Sequence, residues 1–428
     1  MFLWAKEILS DNHLNYRAMK GKFYYAAAAL VQVWFAVSCG TVEIEGPEDV
    51  PGTGQGNGDG QITPLPEGRD LYVTGVEYPE GYDWHADENY GYVACEIFLM
   101  KGDERIVELS ADERNMVASD ADMHRCVDGH LYTDYSTETE TVIKMDGEEL
   151  FRYPEREMIC GFMVVDGDVH TLGMPRDGAD GWTWRRNGKI MMFKTSGYIM
   201  NGLAEDNGTL WFSYIDPIVT GDGVKERYYL VSDGKVTPVG TAADVEKVDD
   251  ILLYDGIIYY TARIQGLNGH VVYIDDRAVS VPAGSARETL DCRLHYDGGQ
   301  SIYVSGIKRF AADGSMDMPS LWKDFKLDFN YQASSTVMHG HYVDGDDIYC
   351  VYTDTQYDEL RIYKSGLVDS EHDALKYSFL SHAGGCATDG HFSLALHPAI
   401  PGVNPALLID GEVKEYGFNG YFTSVSYW

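Results

Sequence analysis

After residue 120 one phrase recurs seven times along this chain: an apolar stretch, an Asp-Gly or similar pair, a Tyr-rich run, a second strand-sized run, then another turn with Gly or Asp. The clearest copies are Ser301-Ile302-Tyr303-Val304-Ser305-Gly306 followed by Leu321-Trp322-Lys323-Asp324, and Asp346-Asp347-Ile348-Tyr349-Cys350-Val351 followed by Leu360-Arg361-Ile362-Tyr363-Lys364. A period of roughly 40–50 residues with four strand-sized runs per unit predicts an all-β chain folded as a single β-propeller. A repeat array spends its whole length on one body, so 428 residues do not imply several domains here.

Acidic residues outnumber basic ones 68 to 33, a formal net charge of −35. Such a surface repels phosphate backbones, so no nucleic-acid partner is expected. The surplus is spread through turns and loops, which reads as a solvated, self-repelling surface. The 31 tyrosines, with Val, Ile and Thr, favour half-buried strands.

The start of the chain reads as an address. Residues 1–39 form a leader and lipoprotein signal peptide. Lys20 and Lys22 make a short positive region, Phe23 through Val37 is an uncharged apolar run, and Ala36-Val37-Ser38-Cys39-Gly40 ends it with small residues before a cysteine. The run is short for a membrane span and fits the apolar core of an export signal. The ending resembles a bacterial lipobox, which implies cleavage before Cys39 and lipidation of that cysteine, with Ala36 in place of the usual Leu. Glu7, Asp11 and His13 do not fit such a signal, so translation is expected to begin at Met19. Residues 40–69, rich in Gly, Pro and acid, lack strand formers and read as a flexible tether. The propeller is expected over residues 70–428.

Labelling each unit's strands A (innermost) to D, eight B strands are expected: Leu71–Val76, Leu131–Tyr135, Asp168–Leu172, Thr209–Tyr214, Ile257–Ala262, Ser301–Gly306, Ile348–Tyr352 and His391–Leu396. Seven A strands are found, at Asn115–Ser119, Met158–Val164, Tyr198–Leu203, Val248–Leu253, Leu290–His295, Thr336–Tyr342 and Gly384–Ala387. The first unit lacks one, and Tyr421–Trp428 is strand-like with no B strand after it. The chain's last strand is therefore expected to complete blade one and close the ring, which removes open sheet edges. Eight four-stranded blades follow, with seven as the alternative count. Asp146-Gly147, Asn187-Gly188, Asp233-Gly234 and Asp410-Gly411 supply tight hairpins between C and D.

Several units resemble the repeats of a family of propeller lipoproteins of Bacteroides-type bacteria, which pair a "VYV-G" strand with a "WKNG"-type strand and turn. The matching residues are Leu71-Tyr72-Val73-Thr74-Gly75, Ile302-Tyr303-Val304-Ser305-Gly306, Trp184-Arg185-Arg186-Asn187-Gly188 and Leu321-Trp322-Lys323-Asp324. The resemblance implies an exported, membrane-anchored propeller and brings no catalytic residues with it.

No catalytic set, cofactor motif or metal motif emerges from the residues. Cys95, Cys126, Cys160, Cys292, Cys350 and Cys386 form no Cys-x-x-Cys pair and mostly sit in apolar runs, so buried free thiols are expected, although an exported chain permits disulfides. His339 and His341, two apart on an expected inner strand, should share a face, but no acid joins them at ligand spacing. Asp177 to Trp184 lacks the spacing of a sialidase Asp box and reads as a Gly-rich loop entering a strand. Asp344-Gly345-Asp346-Asp347 has calcium-like composition in a chain where acidic turns are common.

The B–C links share a face with the D–A links and vary in length. Long ones are expected at Glu77–Tyr90, Asp216–Gly223 and Lys308–Met318. Variable loops on a rigid scaffold are where recognition resides. In the first, Tyr82, Trp84 and Tyr90 lie among Asp83, Asp87 and Asn89, a composition suited to sugar rings or a protein hot spot. The functional expectation is an exported, lipid-anchored bacterial outer-membrane protein, held to the membrane by its N-terminal lipid. Its propeller would serve as a non-enzymatic binding or scaffold head for a glycan or protein. The alternative is a polysaccharide hydrolase or lyase with carboxylates gathered from several blades.

Overall fold

The computed structural model describes residues 69–428 except 87–92, 112–123, 137–138, 177–178, 221–222, 268, 276, 282–285, 297–300, 311–316, 331–335, 346, 355–358, 366 and 379–383. The leader, the lipidation site Cys39 and the tether up to residue 68 lie outside the described residues. The strands form eight antiparallel four-stranded sheets, seven built of consecutive strands and the first completed by the chain's last strand, with one extra short strand, Tyr377–Ser378, in the eighth. The first strands of neighbouring sheets touch in a closed circuit. Gly420–Tyr427 meets His124–Val127, and His130–Ser136 beside it meets Glu157–Val165. The circuit continues through Tyr198–Asp206, Val245–Tyr254, Glu288–Tyr296, Thr336–Asp344 and Gly385–Thr388, then returns to Gly420–Tyr427. This is an eight-bladed β-propeller, and the seven-bladed count is excluded.

Each blade repeats one local device. The residue that opens the C–D turn donates its backbone N–H to a single carbonyl on strand B. Those carbonyls belong to Leu71, Leu131, Val169, Leu210, Ile258, Ile302, Ile348 and Phe392. The next residue is Tyr72, Tyr132, His170, Trp211, Tyr259, Tyr303, Tyr349 or Ser393, a ring in all blades but the last. The turn residue also returns a side-chain bond in six blades. Asp146 Oδ1 accepts Leu131 N–H at 2.8 Å, Asn187 Oδ1 accepts Val169 N–H at 2.9 Å, and Asp410 Oδ1 accepts Phe392 N–H at 2.8 Å. Asp275, Asp324 and Ser365 do the same at 3.3–3.4 Å. Asp146 and Gly147 sit at φ 48° and 87°, the paired left-handed geometry of a type I′ turn. Asp therefore serves twice, tolerating positive φ and capping the strand beside it.

The inner strands share a second device, a bulge at one level around the axis. Ser424, Gly161, Asn201, Asp250, Arg293 and Gly340 lie opposite the same position of strand B in blades 1, 3, 4, 5, 6 and 7. The Cα register skips the residue before each: Thr423, Cys160, Met200, Asp249, Cys292 and His339. Bulges bend a strand and re-aim side chains, which lets straight ribbons converge on a narrow axis. This corrects the reading of His339 and His341 as sharing one face, because the bulge at His339 breaks the alternation.

The ring closes as the sequence implies. Gly420–Tyr427 pairs antiparallel with Leu71–Glu77, and the termini clasp through Asp70 N–H to Trp428 O at 2.8 Å and Trp428 N–H to Asp70 O at 3.1 Å. Thr74 Oγ1 meets Thr423 Oγ1 at 2.8 Å and Ser424 Oγ at 2.6 Å across the bulge. A Cβ on Gly420 would lie 1.9 Å from the Val76 carbonyl oxygen. Backbone cannot yield as a side chain can, so Gly420→Ala should cost roughly 1–3 kcal/mol. A denaturant titration checks this, and an unchanged midpoint would exclude it.

Two expectations are corrected. Blade two's inner strand is His124–Val127, ending at the Asp128-Gly129 turn, while 115–119 lies outside the described residues. The Asp216–Gly223 segment is not a loop. Strands Thr209–Thr220 and Gly223–Ser232 run paired from Trp211↔Ser232 to Thr220↔Gly223. The reason is its Ile-Val-Thr run, which continues the strand pattern past Pro217.

Candidate functional site

Among the described residues, the A–B and C–D connections are tight turns on one face, here the turn face. The B–C and D–A links occupy the opposite link face, and the candidate site is built there and on the adjoining axis.

In the blade-one link, Trp84 and Tyr82 act as packing residues. Trp84 is 5% exposed. Its ring stacks on His85 at 3.7 Å and meets Tyr421 at 5.1 Å and His397 at 5.0 Å. Tyr82 is half-buried and packs on Tyr78 at 5.4 Å, while Asn419 Nδ2 donates to the carbonyls of Pro79 and Tyr82, each at 2.9 Å. Tyr421 belongs to the closing strand and His397 to blade eight, so this link clamps the seam where the ring joins. Tyr90 lies outside the described residues. Among the described rings of this link, Tyr82 and His85 stay partly exposed, beside the exposed Asp83.

The blade-four arm is the feature the sequence mislabelled. Its tip pair Val219↔Val224 is 84% and 62% exposed. Its root is fixed to the preceding blade by Lys194 and to its own inner strand by Tyr198. Lys194 Nζ donates to Asp216 Oδ2 at 2.6 Å, Ser196 Oγ donates to Asp216 Oδ1 at 3.0 Å, and Tyr198 OH donates to Glu226 Oε1 at 2.9 Å. Burial opposes the charge on Lys194, but the Asp216 bond outweighs it and raises its pKa, while the same bond lowers that of Asp216. The arm is thus a rigid, charged root carrying an apolar tip.

Along the axis, a buried polar string joins blades four to seven. Asp250 accepts Asn201 Nδ2–H at 3.0 Å from blade four, Leu294 N–H at 2.7 Å from blade six and Ile251 N–H at 2.7 Å. Burial pushes its carboxyl up to about 6. Next to it, Asp249 pairs with the His270 Nε2, and His270 Nδ1 lies 2.8 Å from Thr289 Oγ1. This Asp–His–Thr chain has the order of a catalytic relay, but His270 is 1% and Thr289 2% exposed, so no substrate reaches it. Arg293 donates to the Asp249 carbonyl. His295 packs on His341 with ring centroids 5.3 Å apart, and burial pushes His295 and His339 down to about 4, so they are neutral at pH 7. His339 Nε2 lies 2.7 Å from Thr353 Oγ1. Among the described residues no group of three or more His, Cys, Asp or Glu is placed to hold a metal ion.

Other carboxylates near the link face are held by arginines. Asp354 lies 3.3 Å from Arg361, which also grips Glu359 and Glu371. Glu157 lies 2.9 Å from Arg185, and Asp317 lies 2.8 Å from Arg309. In the Asp344 turn, Asp344 Oδ2 accepts Gly390 N–H and Asp347 pairs with Lys364 at 2.9 Å. All six cysteines after Cys39 are buried free thiols. The sequence analysis missed the Asp249-Asp250 pair, although two acids inside the apolar run Val248–Leu253 were the available signal.

No protein-family model matches this chain, and no curated protein matches it. Solved structures similar to it include the dihydro-heme d1 dehydrogenase NirN in complex with DHE, at 12% identity and TM-score 0.49 over 83% of this chain and 74% of that one. The computationally designed Ika8 protein aligns at 10% identity and TM-score 0.46 over 76% and 91%. BamB from Moraxella catarrhalis aligns at 10% identity and TM-score 0.40 over 77% and 88%. At such identities the likeness concerns the fold alone.

Proposed function

We propose that this chain is an exported, lipid-anchored propeller of the Bacteroides-type lipoprotein kind, whose head binds a glycan or protein at the bacterial envelope without turning it over. One observation carries the reading. The ring spends one face on uniform tight turns and mounts its irregular parts on the other, including a projecting hairpin whose valines are exposed. Variable elements on a rigid scaffold are suited to recognition. The pairing of link-face carboxylates with Arg185, Arg309 and Arg361 supports binding over hydrolysis, because a general acid or base must lie within hydrogen-bond reach of the substrate and these carboxylates are engaged by arginines instead. The lipid at Cys39 is proposed from the signal alone.

Replacing residues 218–225 by Asn-Gly, so that the new turn closes on the pair Pro217↔Glu226, shortens the arm and keeps Asp216 and Glu226 in its root. Glycan arrays and envelope pull-downs with the intact chain should lose binding by about tenfold or more, equivalent to about 1.4 kcal/mol, while the melting midpoint stays in place. Blank arrays and pull-downs with the unaltered chain, or release of sugars from a polysaccharide, would count decisively against it. In the same cells, Cys39→Ser should move the protein from the membrane pellet to the soluble exported fraction.

A further inference from the structure

Neighbouring blades are joined by different contacts near the axis. Blade four reaches blade five through Asn201 Nδ2–H to Asp250 Oδ1 at 3.0 Å, and blade six reaches blade five through Leu294 N–H to Asp250 Oδ2 at 2.7 Å. Blade eight meets blade one where Ser393 Oγ lies 2.6 Å from Tyr427 OH. Between blades six and seven the inner strands meet through two imidazoles. His295 lies on Glu288–Tyr296 and His341 on Thr336–Asp344, with ring centroids 5.3 Å apart. Farther out the same seam is apolar, with Tyr303 and Leu321 of blade six in one buried cluster with Ile348 and Tyr352 of blade seven.

The imidazole pair resists a proton. His295 Nε2 lies 2.7 Å from Ser305 Oγ, and its Nδ1 is buried without a hydrogen-bond partner among the described residues. An imidazolium carries N–H on both nitrogens, so the charged form buries a donor that nothing accepts. His341 is 3% exposed, and a charge there would arise against the neighbouring ring. Burial and the Arg293 guanidinium push His295 down to about 4, while burial and His295 push His341 well below the ordinary histidine range. Burial pushes His339 down to about 4. Acids on the strands packed around the pair are engaged elsewhere. Asp250 accepts three donors, Asp249 pairs with His270, Asp354 lies 3.3 Å from Arg361, and Asp344 accepts Gly390 N–H. Glu288 and Asp317 face Arg309 at the far end of blade six, and Gly385–Thr388 of blade eight carries no Asp, Glu, Lys or Arg.

We propose that the contact between His295 and His341 is an acid-sensitive latch, at which proton uptake parts blades six and seven beside the axis while the seam at blade one stays fastened. The closed His295 ring titrates near 4, and an imidazole released to water near 6.5. Between these values the open form holds a proton that the closed form has not taken up. The latch is therefore at full strength above about pH 6.5 and weakens as pH falls towards 4. One such histidine raises the open fraction about tenfold or more between pH 6.5 and pH 5. Asp250 acts with the opposite sign, because burial raises its pKa and acid strengthens its contribution. The latch does not depend on what the link face binds.

The test is hydrogen exchange of the intact chain, followed by mass spectrometry at pH 6.5 and pH 5 and corrected for the intrinsic exchange rate at each pH. Opening of Glu288–Tyr296 and Thr336–Asp344 should rise by about tenfold or more at the lower pH. Opening of Leu71–Glu77 and Gly420–Tyr427 should not. His341→Phe keeps a ring without titrating nitrogens, and His295→Gln keeps a polar group beside Ser305, so each should reduce the rise severalfold. His130→Gln, at an exposed ring of blade two, should leave the rise unchanged. If His341→Phe fails to fold, His295→Gln decides alone. Equal opening at the two pH values, loosening of blade one as large as that of blades six and seven, or a rise that His295→Gln leaves intact would each overturn the latch.

Discussion

Deleting residues 420–428 will leave no cooperatively folded monomer. Tyr421, Phe422, Val425 and Tyr427 are 0–6% exposed, and each such side chain is worth about 1.5–3 kcal/mol of burial. Their combined loss is comparable to the whole net stability of a domain, about 5–15 kcal/mol. The deletion also strips the inner side of Leu71–Glu77, leaving a long apolar edge that pairs with other chains. Thr74 loses both hydroxyl partners, and Trp84 loses the Tyr421 ring it packs on. Size-exclusion chromatography and thermal melting decide it. A truncated monomer melting within a few degrees of the full chain would show that closure contributes little.

The second large effect lies at Asp250. Asp250→Ala leaves three buried donors, on Asn201, Ile251 and Leu294, without their acceptor and should cost about 3–5 kcal/mol. The pH dependence has a definite sign. Its folded pKa, about 6, lies above the ordinary 3.8, so between these values the folded protein holds a proton that the unfolded chain has released. Asp250 therefore contributes most below about pH 4, and that contribution falls as pH rises through 6. Denaturant midpoints from pH 4 to pH 7 should show the unaltered chain losing stability relative to Asp250→Asn. A flat difference would mean that the three donors have cancelled the effect of burial.

Much of this was legible because the turns are local. An Asp-Gly pair specifies positive φ and a hairpin from two residues, so the strands and the closing tail could be placed without knowing what they touch. What stayed hidden depends on neighbours in space. The bulges at Asp249 and His339 add one residue to strands whose alternation otherwise looks regular, and only pairing with the next strand exposes the shift. Trp84 looked like a recognition ring because its loop is polar, and its burial is supplied by His397 and Tyr421, more than 300 residues away in sequence. The arm was read as a loop because Pro217 and Gly221-Asp222-Gly223 are breakers, yet Pro217 is tolerated on a free edge and the ladder runs on to Thr220↔Gly223.

Where the two ends of the ring meet has a mechanical consequence. Arg69 reaches Thr388 Oγ1 at 2.5 Å and Asp389 at 3.2 Å, beside the Asp389-Gly390 turn on the turn face. Leu71–Glu77 is gripped along both sides by antiparallel neighbours. Were the proposed lipid anchor to hold the chain ahead of Arg69, a pull on it would load two ladders lengthwise in shear, the direction in which their bonds must break together, with the hairpin's valines on the opposite face.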